Sequence, residues 1–121
     1  MKIRIKGNSV RLRLTKTEVA QFCETGRYEE QTHFGTTTLR YVLLAKANTT
    51  VISADYKDNT ITICLPDAVQ DHWATSDRIG YQNEVDWNDP SALSVLVEKD
   101  FTCLDATIED QSDNYPNPRL L

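Results

Sequence analysis

The usual marks of chemistry are scarce in this chain of 121 residues. No apolar run approaches the roughly 18 residues that a membrane span needs, so no membrane contact is expected. Cysteine is sparse. Cys23, Cys64 and Cys103 lie far apart, with no CxxC or Cys/His ligand spacing, which argues against a zinc site. Their odd number and wide spacing suit reduced, mostly buried thiols in a reducing compartment. The four glycines form no phosphate-cradling loop, and GxSxG and HExxH are absent, so the common catalytic signatures are missing. The N-terminus has neither the apolar core nor the small-residue cleavage site of a secretory signal, and the expected location is the cytoplasm. Basic excess is lacking too: a net charge of −5 argues against nucleic acid as a partner.

What the chain does have begins at once. Lys2-Ile3-Arg4-Ile5-Lys6 and Ser9-Val10-Arg11-Leu12-Arg13-Leu14 alternate strictly around Gly7-Asn8, the signature of a two-residue β-hairpin. Pairing about that turn sets Lys2 opposite Arg13, Ile3 opposite Leu12, Arg4 opposite Arg11 and Ile5 opposite Val10. One face is apolar. The other carries four like charges in cross-strand pairs, with Lys6 beside them, an arrangement that is destabilising unless negative charge covers it. The cover is supplied by internal acids such as Glu29, Glu98 or Asp100, by solvent, or by an anionic ligand.

Further along, Thr15-Lys16-Thr17-Glu18 is a capping-box pattern, and Gly26 a natural helix stop, which predicts a short helix over about residues 16–25. Strands are expected over 27–34 and 39–45. A second hairpin follows, with Ile52, Ala54 and Tyr56 alternating before Asp58-Asn59, and Ile61, Ile63 and Leu65 after it. Pro66-Asp67 opens a second short helix with Val69 and Trp73 inward. Arg78 to Trp87 and Leu93 to Phe101 are expected strands, and Cys103 to Ile108 is a further candidate. Residues 109–121 read as a loop or wrapped tail in which Tyr115 packs on its own domain.

Hairpins dominate and helices are short. The expected fold is one α+β domain over 1–121, a mostly antiparallel sheet or barrel with two short helices. The halves also align. At an offset of 51, Val10, Leu12, Leu14, Phe22, Thr25 and Arg27 fall on Ile61, Ile63, Leu65, Trp73, Ser76 and Arg78. At 53, Val42, Leu43 and Lys46 fall on Val95, Leu96 and Lys99. This motivates a hypothesis of internal duplication of a β-α-β-β-β unit, 9–57 and 60–108.

That twofold layout resembles the triphosphate tunnel enzymes, wide antiparallel barrels lined with charge. The resemblance implies two alternating glutamates and a lysine on the first strand. Here Lys2-Ile3-Arg4-Ile5-Lys6 stands instead, so the likeness is architectural and carries no metal site. A resemblance covering nearly the whole chain is to a small bacterial domain family of unknown function. It is carried by Lys6-Gly7-Asn8-Ser9-Val10-Arg11-Leu12-Arg13-Leu14-Thr15, by Leu96-Val97-Glu98-Lys99-Asp100-Phe101, and by Glu109 to Pro118. It implies a cytosolic bacterial domain and no particular chemistry.

Candidate sites are few. Lys2, Arg4, Arg11 and Arg13 form an array suited to phosphate or carboxylate, since the guanidinium fork binds both oxygens of such groups. Asp105, Glu109, Asp110 and Asp113 fit no EF-hand spacing and read as a solvated loop or as a counter-charge for the basic start. His33 and His72 can be written beside Cys23, Asp71 and Ser76, but no spacing selects a catalytic set. We therefore expect no catalytic residues, no cofactor and no metal, with Glu98 and Asp100 the only weak metal candidates. The function read from sequence is a non-enzymatic binding module whose basic sheet face contacts an anionic small molecule or an acidic protein surface. The alternative is an enzyme acting on a phosphorylated small molecule in a charged barrel lumen, with Arg11 and Arg13 on phosphate and Glu98 or Asp100 near a metal. Oligomeric state stays open.

Overall fold

A computed structural model describes residues 1–101 and 111–116. The candidate strand over 103–108, Cys103, Asp105, Glu109 and Asp110 lie outside the described residues. Local signals place the first elements as expected. Strands β1 (Lys2–Lys6) and β2 (Ser9–Leu14) pair antiparallel with Lys2 facing Arg13, Arg4 facing Arg11 and Ile5 facing Val10. Gly7 takes a φ of 54°, which a side chain would resist and which the first position of a two-residue hairpin loop requires. Helix α1 (Lys16–Thr25) starts at Thr15, whose N–H donates to Glu18 Oε1 at 2.8 Å, and ends at Gly26 with a φ of 77°. Strands β3 (Arg27–His33) and β4 (Thr38–Lys46) then pair antiparallel. The second hairpin, β5 (Ser53–Lys57) and β6 (Thr60–Pro66), turns on Asp58 and Asn59, both left-handed with φ of 52° and 58°.

The expected second helix is two 3₁₀ turns, Asp67–Asp71 and Trp73–Thr75. His72 breaks the run with a φ of −147°, and the N–H groups of His72 and Ser76 bond three residues back, to Val69 and Trp73. Asp, His and Thr in this stretch give an α-helix little support. The expected strand over 78–87 contracts to β7 (Gly80–Gln82), because the Asn83 side chain then takes over the ladder. It donates to Leu93 O and accepts from Val95 N–H, both at 2.8 Å. Strand β8 (Ser94–Lys99) is the last among the described residues.

No barrel forms. The strands make two four-stranded sheets, ordered β1-β2-β8-β7 and β3-β4-β6-β5, and each central pair is parallel, β2 with β8 and β4 with β6. Of the expected mostly antiparallel sheet or barrel, the barrel is corrected, while four of the six strand pairings among the described residues are antiparallel. Parallel partners cannot be joined by a hairpin, so each comes from the other half of the chain. The apolar faces of both sheets share one core with α1. Leu12, Leu14, Phe22, Leu43, Ile63, Leu65, Trp73 and Val97 are all fully buried in it. The chain order strand, strand, helix, strand, strand occurs twice, β1-β2-α1-β3-β4 and β5-β6-turns-β7-β8. Register corrects the second alignment offset. Leu12 faces Val97 as Ile63 faces Leu43, so Leu43 matches Val97, an offset of 54 rather than 53. An offset of 53 would lay an inward residue on an outward one, since a slip of one residue changes faces.

Candidate anion-binding face

Alternation along β1, β2 and β8 sends Ile3, Val10, Leu12, Val95 and Val97 toward the core, with Ile5 on the same face but exposed. Lys2, Arg4, Lys6, Arg11, Arg13 and Glu98 then share the outer face of that sheet. The parallel register puts Glu98 directly beside Arg13 and diagonal to Arg11. Arg13 Nε donates to Glu98 Oε1 at 3.0 Å, and Arg11 Nε lies 3.5 Å from the same oxygen. Lys2 Nζ lies 3.0 Å from Asp100 Oδ2, an ion pair without hydrogen-bond alignment. Asp100 is held by its backbone, whose N–H donates to Leu14 O at 2.8 Å. Glu29, the third internal acid considered, is on the other sheet and pairs with Arg27 at 2.6 Å.

The basic array is thus divided. Its inner half, Lys2 and Arg13, is matched by Asp100 and Glu98. Its outer half is not: among the described residues no carboxylate pairs with Arg4 or Lys6, and Arg11 has only the longer contact. These residues and Ser9, which faces Lys6 in the register, line a 240 Å³ depression near the hairpin tip. Ser9 was missed from sequence, although the same register places it there. The metal candidates Glu98 and Asp100 are committed to Arg13, Arg11 and Lys2, and they face no barrel lumen. The catalytic candidates are used locally. His33 Nδ1 sits 2.9 Å from Thr38 Oγ1, His72 and Asp71 are exposed, and Ser76 Oγ donates to Trp73 O. Cys23 and Cys64 are half-buried free thiols, less buried than expected.

Two other ionic clusters brace the fold. The N-terminal ammonium of Met1 is buried between Glu18 and Glu30, and the Tyr28 hydroxyl donates to Glu30 at 3.4 Å. Burial would raise the Glu18 pKa. The ammonium, the Thr15 N–H and the Tyr28 hydroxyl outweigh it and hold the carboxyl below its ordinary value. Burial and the two glutamates push the Tyr28 phenol up. In the second cluster the Lys99 ammonium is buried, donates to Ser76 O at 2.6 Å and stands 5.0 Å from the Tyr115 ring centroid. Burial lowers its pKa against the opposing pull of Asp77 and Cys23, and burial foremost pushes Tyr115 up to about 12. Tyr115 N–H also donates to Asp100 O, so Tyr115 packs on the chain's own core as expected.

Fold and face together define an α+β protein of two four-stranded sheets with a partly self-neutralised basic patch on one of them. Over residues 1–119 the chain matches the model of a family of unknown function, DUF7009, and it belongs to that family. No curated protein and no solved structure matches it. No helix among the described residues is long and apolar enough to cross a membrane.

Proposed function

We propose that this protein is a non-enzymatic cytoplasmic binding module that holds a phosphate or carboxylate group on the outer face of β1 and β2. The contacts come from Arg4, Lys6 and Arg11, with the Ser9 hydroxyl as a further donor. One observation carries the reading: Arg4 stands directly opposite Arg11 and, among the described residues, no carboxylate pairs with Arg4 and only the longer Glu98 contact reaches Arg11, although Glu98 and Asp100 cover the other end of the same ribbon. A like-charged pair only partly neutralised at the lip of a depression favours the state in which an anion fills it. The depression's 240 Å³ is below the usual range for a whole drug-sized ligand, which suits a single anionic group better than an extended molecule. Lys2 and Arg13, part of the array read from sequence, tune the site from behind by engaging the acids.

The test is thermal melting with and without millimolar inorganic phosphate or polyphosphate, since a ligand bound only by the folded form raises its stability. The reading requires a concentration-dependent rise that Arg4→Ala abolishes. A melting curve indifferent to either anion would refute it. We also read the repeated strand, strand, helix, strand, strand order as an internal duplication with exchanged sheet partners. The matching of Phe22 with Trp73 and of Tyr28 with Tyr81 on equivalent elements supports it.

A further inference from the structure

Ser9 lines two hollows. One is the 240 Å³ depression that it shares with Arg4, Lys6 and Arg11. The other is a 350 Å³ hollow that it shares with Asn8, Trp87, Asp89 and Ser94. Ser94 faces Ser9 across β2 and β8, and by parity both stand on the outer face of the sheet with Arg11. The remaining wall is the loop between β7 and β8. It is pinned to the first hairpin tip: Asn8 Nδ2 donates to Ser91 O at 3.1 Å and to Ala92 O at 2.8 Å, and Ser94 N–H donates to Asn8 O at 3.1 Å. Asp86 and Asp89 brace its turns by accepting from the N–H groups of Asn88 and Ser91. On this braced loop Trp87 is 79% exposed, the most exposed large apolar side chain among the described residues. Its indole stands in water at a concavity, an apolar area that a stacked ring would bury.

We propose that the two adjoining hollows hold a nucleoside monophosphate, its phosphate among Arg4, Lys6 and Arg11 and its base stacked on Trp87. This placement rests on the anion reading above and names the ligand class for it. Three cations around 240 Å³ suit one phosphate group. The second hollow mixes Trp87, Val85 and Pro90 with Asn8, Asp89 and Ser94. An aliphatic body would leave those polar groups facing apolar atoms, whereas a base and sugar offer a flat face and hydrogen-bonding edges together. Ser9 and Ser94 present hydroxyls where the sugar would lie. Both Ser91 hydrogen bonds to Asp89 end on Oδ1, at 2.9 and 2.7 Å, so Oδ2 faces no competition from them for a sugar hydroxyl or a base amino group. Asp89 also repels a second negative charge, which selects a neutral ring and a single phosphate. Two residues along a strand span roughly 7 Å and neighbouring strands lie roughly 5 Å apart, so Arg11 and Ser94 are on the order of 8 Å apart, the reach of a sugar phosphate. A net charge of −5 argues for the free mononucleotide over a polymer.

The experiment titrates the full chain by calorimetry with adenosine monophosphate, ribose phosphate, inorganic phosphate and adenosine. Adenosine monophosphate should bind about tenfold more tightly than ribose phosphate, through stacking of the base. It should also quench tryptophan emission saturably, and because Trp73 is fully buried that quenching reports Trp87. Trp87→Ala should bring adenosine monophosphate down to the affinity of ribose phosphate, and Trp87→Phe should keep most of the gain. Arg4→Ala should weaken every phosphate-bearing ligand. Trp87 is exposed, so its variants should fold, and the emission of Trp73 checks it. Equal affinity for adenosine monophosphate and ribose phosphate, with phosphate still bound, would overturn the base site alone and leave the anion site standing. Binding of none of the phosphates would remove the anion site and the base site together. Adenosine binding as tightly as its monophosphate, or full affinity in Trp87→Ala, would overturn the base site as placed.

Discussion

The ring of Phe22, from α1, meets the ring of Trp73, from the second 3₁₀ turn, edge to face, with centroids 6.4 Å apart and planes at 82°. Both side chains are fully buried, and Tyr81 adds a second edge contact to Trp73 at 5.5 Å. This pair joins the helical segments of the two halves, so it couples the two sheets. Phe22→Ala and Trp73→Ala should each cost about 3–5 kcal/mol in denaturant unfolding. Their double-mutant cycle should leave a coupling of about 0.5–1.5 kcal/mol, the edge-to-face contribution beyond burial. Additive losses would show that the rings are independent plugs.

The Met1 ammonium cluster gives stability a pH signature at both ends. In the folded state Glu18 titrates below its ordinary value of 4.5. A lowered carboxyl pKa stabilises the fold above pH 4.5 and loses that contribution as pH falls through the folded value. Tyr28 is raised above its ordinary value of 10.0, so its contribution is present below pH 10.0 and lost as pH rises through the folded value. Glu18→Gln should lower stability at pH 7 by about 1.5–3 kcal/mol, the range for charge-assisted hydrogen bonds, and flatten the acid limb. Tyr28→Phe should flatten only the alkaline limb. Urea unfolding at pH 3, 7 and 11 separates the two.

How much of this was legible in the chain depended on whether the cause was local. Gly7, Asn8, Asp58 and Asn59 set both hairpins, and strict alternation then fixed every cross-strand pair, because turn chemistry and side-chain parity act within a dozen residues. Thr15, Glu18 and Gly26 bounded α1 for the same reason. The parallel pairings of β2 with β8 and of β4 with β6 were hidden. They are made by burial of two apolar faces across the whole chain, and no local signal records which strand ends up beside which. Glu98 shows the boundary. Its sequence position named it as one of three acids able to cover the basic face. Only the β2–β8 register selected it over Glu29 and set it between Arg11 and Arg13. A cleft between Ile5 and Val10 of one sheet and Leu39, Tyr56 and Ile61 of the other went unseen for the same reason, since its two walls come from different sheets.

Gly80 marks a contact that no side chain can share. A Cβ there would stand 2.4 Å from the Val97 carbonyl oxygen and 2.8 Å from Glu98 Cβ, both part of β8. Backbone cannot yield as a flexible side chain would, so Gly80→Ala must push β7 away. The expected loss is about 1–3 kcal/mol, as for other overpacked sites. Amide exchange should accelerate at Tyr81 and Val97, which face each other across β7 and β8, and stay unchanged at the β3–β4 pair of Tyr28 and Leu43. Uniform acceleration in both sheets would mean that the glycine serves global stability alone.

Glu98 competes with any anion for the guanidinium groups of Arg11 and Arg13. Its carboxylate contacts both, and the arginines themselves are 34% and 39% exposed, so the pairs are partly screened and each contributes no more than about 1 kcal/mol. Glu98→Gln keeps the shape, removes the charge and should therefore lower thermal stability only slightly in buffer free of multivalent anions. The same change frees Arg11 for the depression that it shares with Arg4, Lys6 and Ser9. Losing a competing interaction of about 1 kcal/mol should strengthen phosphate binding about fivefold. Melting curves across a phosphate series should thus cross: the variant below the parent without phosphate, above it at millimolar concentration. Raised salt should shrink the difference, because these charges lie at the surface. Parallel curves at all phosphate concentrations would mean that the arginines serve only to pair with Glu98, and the basic face would lose its claim as a binding site.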